Sequence, residues 1–96
     1  MSIVLSSSTA SAGTIRFSVE SGFVENTTVR GQDTGGTFTA DIEYTLDGGT
    51  TWTDVYVNGT QVQCSNTNTH VPINMVGDYR VTWSGQPATT VIEVVR

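Results

Sequence analysis

Residues 45–52 read Thr-Leu-Asp-Gly-Gly-Thr-Thr-Trp. The stretch fits the pattern Ser/Thr-x-Asp-x-Gly-x-Thr-Trp at every defined position: Thr45, Asp47, Gly49, Thr51 and Trp52. The residue types have a physical logic. A carboxylate at Asp47 is placed to accept hydrogen bonds from backbone N–H groups inside a turn. Gly48 and Gly49 permit positive φ without a Cβ clash. Thr51 and Trp52 begin a return strand, with the indole set to cover the turn. Such a turn joins two antiparallel strands and implies an all-β chain.

The flanks agree. Phe38, Ala40, Ile42 and Tyr44 alternate with Thr39, Asp41, Glu43 and Thr45, the period-2 signature of a half-buried strand. After a second strand near Thr51–Val57 comes Asn58-Gly59, a strong signal for a type I′ hairpin turn. A third strand over Thr60–Cys64 makes residues 36–64 a three-stranded meander. Further strands are expected at Ile3–Leu5, at Ile15–Val19, weakly at Phe23-Val24 and Val29, over Val71–Met75, at Tyr79–Trp83 and over Thr89–Val95, with Gly31–Gly36 as a turn. Pro72 keeps its strand off a central position.

Composition bounds the rest. A chain of 96 residues makes one domain with one modest core. Threonine occurs seventeen times and leucine only at Leu5 and Leu46. The chain is read as a single domain over residues 1–96, with residues 1–13 as an N-terminal arm. Seven or eight strands with turns at short intervals point to an antiparallel β-sandwich, with a small barrel as the alternative.

The net charge is −5, and the four cations Arg16, Arg30, Arg80 and Arg96 are dispersed with no lysine among them. No basic stripe speaks for nucleic acid. The first eight residues carry neither a positive flank nor a long apolar run, so no signal peptide and no membrane span is expected there. Cys64 is the sole cysteine, read as a half-buried strand residue, and His70 is the only base that a reactive thiol would find. Asn26-Thr27-Thr28 and Asn58-Gly59-Thr60 have the form of glycosylation sequons and are read as turn chemistry. Asp41, Glu43, Asp47 and Asp54 lie around one meander but match no metal-site spacing, so no metal and no cofactor is expected. Trp52, Tyr56 and Trp83 are candidates for a sugar-stacking platform; Trp83 reads more readily as core and Trp52 as the cover of its own hairpin.

Four resemblances follow. The pattern at residues 45–52 is that of the Asp-box, which recurs once per blade in sialidase-like propellers; one copy in so short a chain marks a hairpin and no activity. Gly77-Asp78-Tyr79-Arg80-Val81 resembles the Gly-x-Tyr-x-(Cys/apolar) run in the penultimate strand of immunoglobulin-like domains. It implies an Ig-like sandwich with Gly77 and Tyr79 as a tyrosine corner, although Val81 stands where a cysteine would. Asp33-Thr34-Gly35 resembles the triplet of dimeric aspartic proteases, and Pro72–Gly77 a run near their C-terminus. Arg30-Gly31-Gln32 before the triplet and Asp78 after Gly77 depart from that family, so the triplet is read as a turn capped by Asp33.

Lastly, Tyr44–Trp52, Val55–Val62 and Gly77–Trp83 together resemble Ig-like accessory virion proteins of tailed bacteriophages. That likeness implies a non-enzymatic capsid decoration or cement protein on the outer surface of the virion, made in the host cytoplasm. Its partners would be other virion proteins, the major capsid protein first, with self-association as an option. Ile3, Val4 and Leu5 are the candidate interface. The alternative is a glycan-binding or host-attachment module of a tail or head fibre.

Overall fold

The computed structural model describes residues 4–20 and 27–96. The expectations placed on Ile3, Phe23, Val24 and Asn26 lie outside them. The strands are β1 (Val4–Thr9), β2 (Gly13–Val19), β3 (Thr28–Gln32), β4 (Thr39–Thr45), β5 (Thr53–Asp54), β6 (Tyr56–Val57), β7 (Thr60–Gln61), β8 (Gln63–Ser65), β9 (His70–Pro72), β10 (Gly77–Trp83) and β11 (Val91–Val95). They form two packed antiparallel sheets, one ordered β1-β11-β3-β9 and the other β2-β10-β4-β5, with β8 also on β4. The all-β sandwich expected from the sequence is what the chain forms.

Alternation along each strand builds the core. Val29, Val71, Ile92 and Val94 face inward from the first sheet. Ile15, Phe17, Val19, Ala40, Ile42, Cys64, Tyr79, Val81 and Trp83 face them from the second. Phe17 and Tyr79 stack with centroids 5.7 Å apart. They sit directly opposite each other in the β2–β10 register.

The strand order differs from that of an immunoglobulin domain. In that arrangement the first two strands are neighbours, and so are the last two. Here β1 and β2 lie in different sheets, as do β10 and β11. The pairs β1–β11, β2–β10, β3–β9 and β4–β5 nest one inside the next. The chain is one long antiparallel ribbon rolled into two layers, the order of a jelly roll. Residues 46–52 are the turn at the tip of that ribbon. The Gly77–Val81 run is local and does not record which strands flank it, so the resemblance it carries reaches the sandwich but not the strand order.

The meander also takes a different form. β5 and β8 lie along the same edge of β4: Thr53 and Asp54 face Tyr44 and Glu43, while Gln63, Cys64 and Ser65 face Asp41, Ala40 and Thr39. The chain leaves this edge after Val55, makes the β6–β7 hairpin and returns at Val62. A bond from Val62 N to Val55 O, 2.8 Å, pinches the base. Asn58 and Gly59, with φ of 52° and 79°, turn the tip. The hairpin lies outside the sandwich because it has no buried face: Tyr56 and Val57 are 59% and 58% exposed.

Gly31 is also not in a turn. It sits within β3, where a Cβ would come 2.9 Å from both Ile92 and Phe38. Val4–Thr9, within the expected N-terminal arm, is zipped to β11 as an edge strand of the molecule's own sheet.

Candidate docking surface

The turn at residues 46–52 is held by side-chain bonds to its own backbone. Asp47 Oδ1 accepts from Thr51 N at 2.9 Å, Thr50 N at 3.1 Å and Thr45 Oγ1 at 2.8 Å. Thr45 Oγ1 accepts in turn from Gly49 N at 3.0 Å. Trp52 Nε1 donates to Gly49 O at 3.1 Å. Gly49 is required twice over: its φ is 103°, and a Cβ there would lie 2.9 Å from the Arg16 guanidinium.

The Thr51 amide, followed by the hydroxyl of Thr45, holds the Asp47 carboxyl down at about 2, from an ordinary 3.8. A carboxyl whose pKa falls on folding adds stability above its unfolded pKa and loses it as pH drops towards the folded value. Asp47→Ala is therefore expected to lower the melting temperature by a constant amount at neutral pH. That gap should narrow as pH falls from about 4 to about 2. A gap independent of pH across this window, in paired thermal melts, would refute the capping role.

Trp52 lies over the outer face of its sheet. Arg16, Arg80, Glu43 and Asp54 form one cross-strand row there. The indole packs on two of them, with the Arg80 and Arg16 guanidinium carbons 4.5 Å and 5.1 Å from its ring centroid. Arg80 Nε also donates to Glu43 Oε1 at 2.7 Å. Like charges opposite one another are unfavourable, and Trp52 with Glu43 compensates the Arg16–Arg80 pair. Trp83 is in the core, its Nε1 donating to Ala10 O at 3.1 Å. Trp52, Tyr56 and Trp83 therefore share no face.

The remaining candidates are separated too. Cys64 is fully buried on β8, which pushes its thiol up to about 12, and its Sγ rests on Thr69 O at 3.6 Å. The exposed His70 instead has Nδ1 3.0 Å from Thr69 Oγ1. A protonated, inaccessible thiol is not a nucleophile. Asp33 Oδ1 accepts from Thr89 Oγ1, and Oδ2 is buried. The bond from Thr89 ties this carboxylate to its own chain. Asp41 accepts from Gln63 Nε2 at 2.7 Å. Among the described residues no group of three or more His, Cys, Asp or Glu side chains is placed to hold a metal ion.

Tyr79 donates its hydroxyl to Met75 O at 2.9 Å, the bond by which a tyrosine corner ties a strand to the connection before it. An apolar surface lies beside that bond. Ile73 is buried, but Met75 and Val76 are turned outward, 67% and 62% exposed. Across from them Leu46, at the variable second position of the turn motif, is 91% exposed. Together with Tyr44, Val55, Tyr56 and Tyr79 they line a groove of about 510 Å³ at one end of the sandwich. Its charged lining is Asp54 and Asp78.

The chain matches no protein-family model, no curated protein and no solved structure.

Neither Leu46 nor Met75-Val76 stood out in the sequence. Leu46 occupies a position that the turn leaves undefined, and Met75 falls in phase with Val71 and Ile73. The available signal was an apolar residue inside a turn and an apolar pair just before Gly77. The expected interface residues Val4 and Leu5 lie elsewhere, 47% and 41% exposed on β1.

Proposed function

We propose that this chain is a non-enzymatic structural protein of a tailed-bacteriophage virion, a decoration or cement protein held on the outside of the head. The observation that carries the reading is the gathering of exposed apolar side chains at one end of the sandwich. Of the seven large hydrophobic side chains left exposed among the described residues, Leu46, Tyr56, Met75 and Val76 line the groove and Val57 follows on the adjoining hairpin. Apolar side chains gathered in one concave place, rather than scattered singly, suit a binding site. Jelly-roll sandwiches recur in capsid and lectin domains, which supports the reading by analogy of fold alone.

On a shell, one modest contact per copy is enough. Each bound copy stabilises the assembled lattice by mass action, and contacts that bridge neighbouring capsomers act together. The exposed Tyr56 ring favours one second reading, a glycan-binding module of a fibre.

The test is immunogold electron microscopy of phage particles from the producing culture, with antibody against this chain. Regular label over the heads is the expected result. Particles without label overturn the virion reading. Label on fibres, joined by binding on a glycan array, replaces it with the second.

A further inference from the structure

We propose that the end groove recognises an apolar peptide segment of a partner protein that carries a lysine or arginine beside its large side chain. The inference concerns the same groove as the proposed function and names the chemistry of what fills it.

Charge decides the class of occupant. The walls are aliphatic and aromatic: Leu46, Val55, Tyr56, Met75 and Val76 with the Tyr44 ring. Asp54 and Asp78 are the groove's two acidic lining residues. Asp54 has no hydrogen bond or ion pair within the described residues, and Asp78 has only the Ser18 hydroxyl, which donates to its Oδ1 at 2.7 Å. The nearby cations are engaged elsewhere, Arg80 with Glu43 and Trp52, Arg16 with Trp52. Glu43, directly across from Asp54, is paired with Arg80, which leaves Asp54 as the unpaired carboxylate of that row.

An uncharged hydrophobic occupant would desolvate both carboxylates without compensation, which costs free energy. An acidic occupant would be repelled. A cation flanking the apolar anchor pairs with Asp54 or Asp78 while the anchor displaces water from the groove. The net charge of −5 and the absence of lysine favour the same partner at long range. The β6–β7 hairpin supplies one wall through Tyr56. A two-stranded hairpin that packs on no sheet is marginal by itself, and an occupant against Tyr56 would give it the apolar neighbour it lacks.

The experiment uses the purified chain and two fluorescein-labelled peptides, Gly-Lys-Leu-Phe-Leu-Lys-Gly and its counterpart with both lysines replaced by glutamate. Anisotropy is read at low and at physiological salt. The lysine peptide is expected to bind at least about tenfold more tightly than the glutamate peptide, with the preference shrinking as salt rises. Asp54→Asn with Asp78→Asn should remove most of the preference. Met75→Ser with Leu46→Ser should weaken the lysine peptide, and Met75→Leu should restore it. All of these side chains are at the surface, and an unchanged melting temperature confirms that each variant is folded.

Equal binding of the two peptides, no binding of either, or binding unaffected by the serine variants would each overturn the proposal. So would concentration-dependent dimerisation abolished by Met75→Ser, which assigns the groove to a second copy. Nuclear Overhauser contacts between Phe23 and the Met75 methyl in the free protein would assign it to the chain itself. A chain absent from virions that still selects the lysine peptide removes the virion reading alone; a chain present on virions that selects neither removes this inference alone.

Discussion

Trp83→Ala should lower the stability of the folded chain by about 3–5 kcal/mol, the cost of emptying a large aromatic site in a packed core. Trp83 is the last residue of β10 and only 4% exposed. It sits opposite Gly13 in the β2–β10 register, and its ring fills the space a Cβ on Gly13 would need, with Cζ2 2.8 Å from that position. Its Nε1 donates to Ala10 O, in the connection that carries the chain from β1 in one sheet to β2 in the other. The indole thus fills the core and secures the crossover between sheets. Domains of this size have about 5–15 kcal/mol in all, so the variant should be close to the edge of folding. Urea unfolding should show the midpoint lowered by more than about 1 M. Trp83→Phe keeps most of the volume and loses the bond to Ala10, so its midpoint should lie between the two. A shift of less than about 1 kcal/mol for the alanine variant would mean that the indole does not support the core as its burial implies.

The contrast between Trp83 and Leu46 shows how far the sequence could be read. Tyr79, Val81 and Trp83 share one strand face, and alternation alone assigns them to the core. The same holds for Ala40, Ile42 and Tyr44, and for the turn whose Asp47 bonds are chemically specified by Thr45, Gly49 and Thr51. These are local facts, fixed by residues within a few positions of one another. Strand order is not local. The nesting of β1–β11 around β2–β10 depends on pairings about sixty to ninety residues apart, and no residue type records which sheet its strand joins. The interruption of the β4 edge by β6 and β7 is of the same kind. Asn58-Gly59 specifies a hairpin, but not that Val62 closes on Val55 and returns the chain to β4. The groove was hidden for this reason. Leu46, Tyr56 and Met75 come from three separate segments, each unremarkable alone, and they become a surface only when the ribbon rolls up and sets the connection before β10 beside its tip.

Gly31 and Phe38 carry the second large effect, and they test the rolled ribbon directly. Phe38 is 1% exposed and precedes β4; Gly31 lies in β3, in the opposite sheet. The Phe38 ring and the Ile92 methyl occupy the space over Gly31, each 2.9 Å from where its Cβ would be. Phe38→Ala should therefore cost about 3–5 kcal/mol, as Trp83→Ala does. Gly31→Ala should cost about 1–3 kcal/mol by overpacking, although alanine is ordinarily the better residue in a strand interior. The sign is informative, because relief from glycine's conformational entropy would otherwise stabilise the variant. The two sites must also couple. Phe38→Leu gives up ring volume at the point where Gly31→Ala adds a methyl, so the double variant should be less destabilised than the sum of its parts, by about 0.5 kcal/mol or more. Strictly additive effects in chemical denaturation would place these residues out of contact, and with them the packing of β3 across from β4.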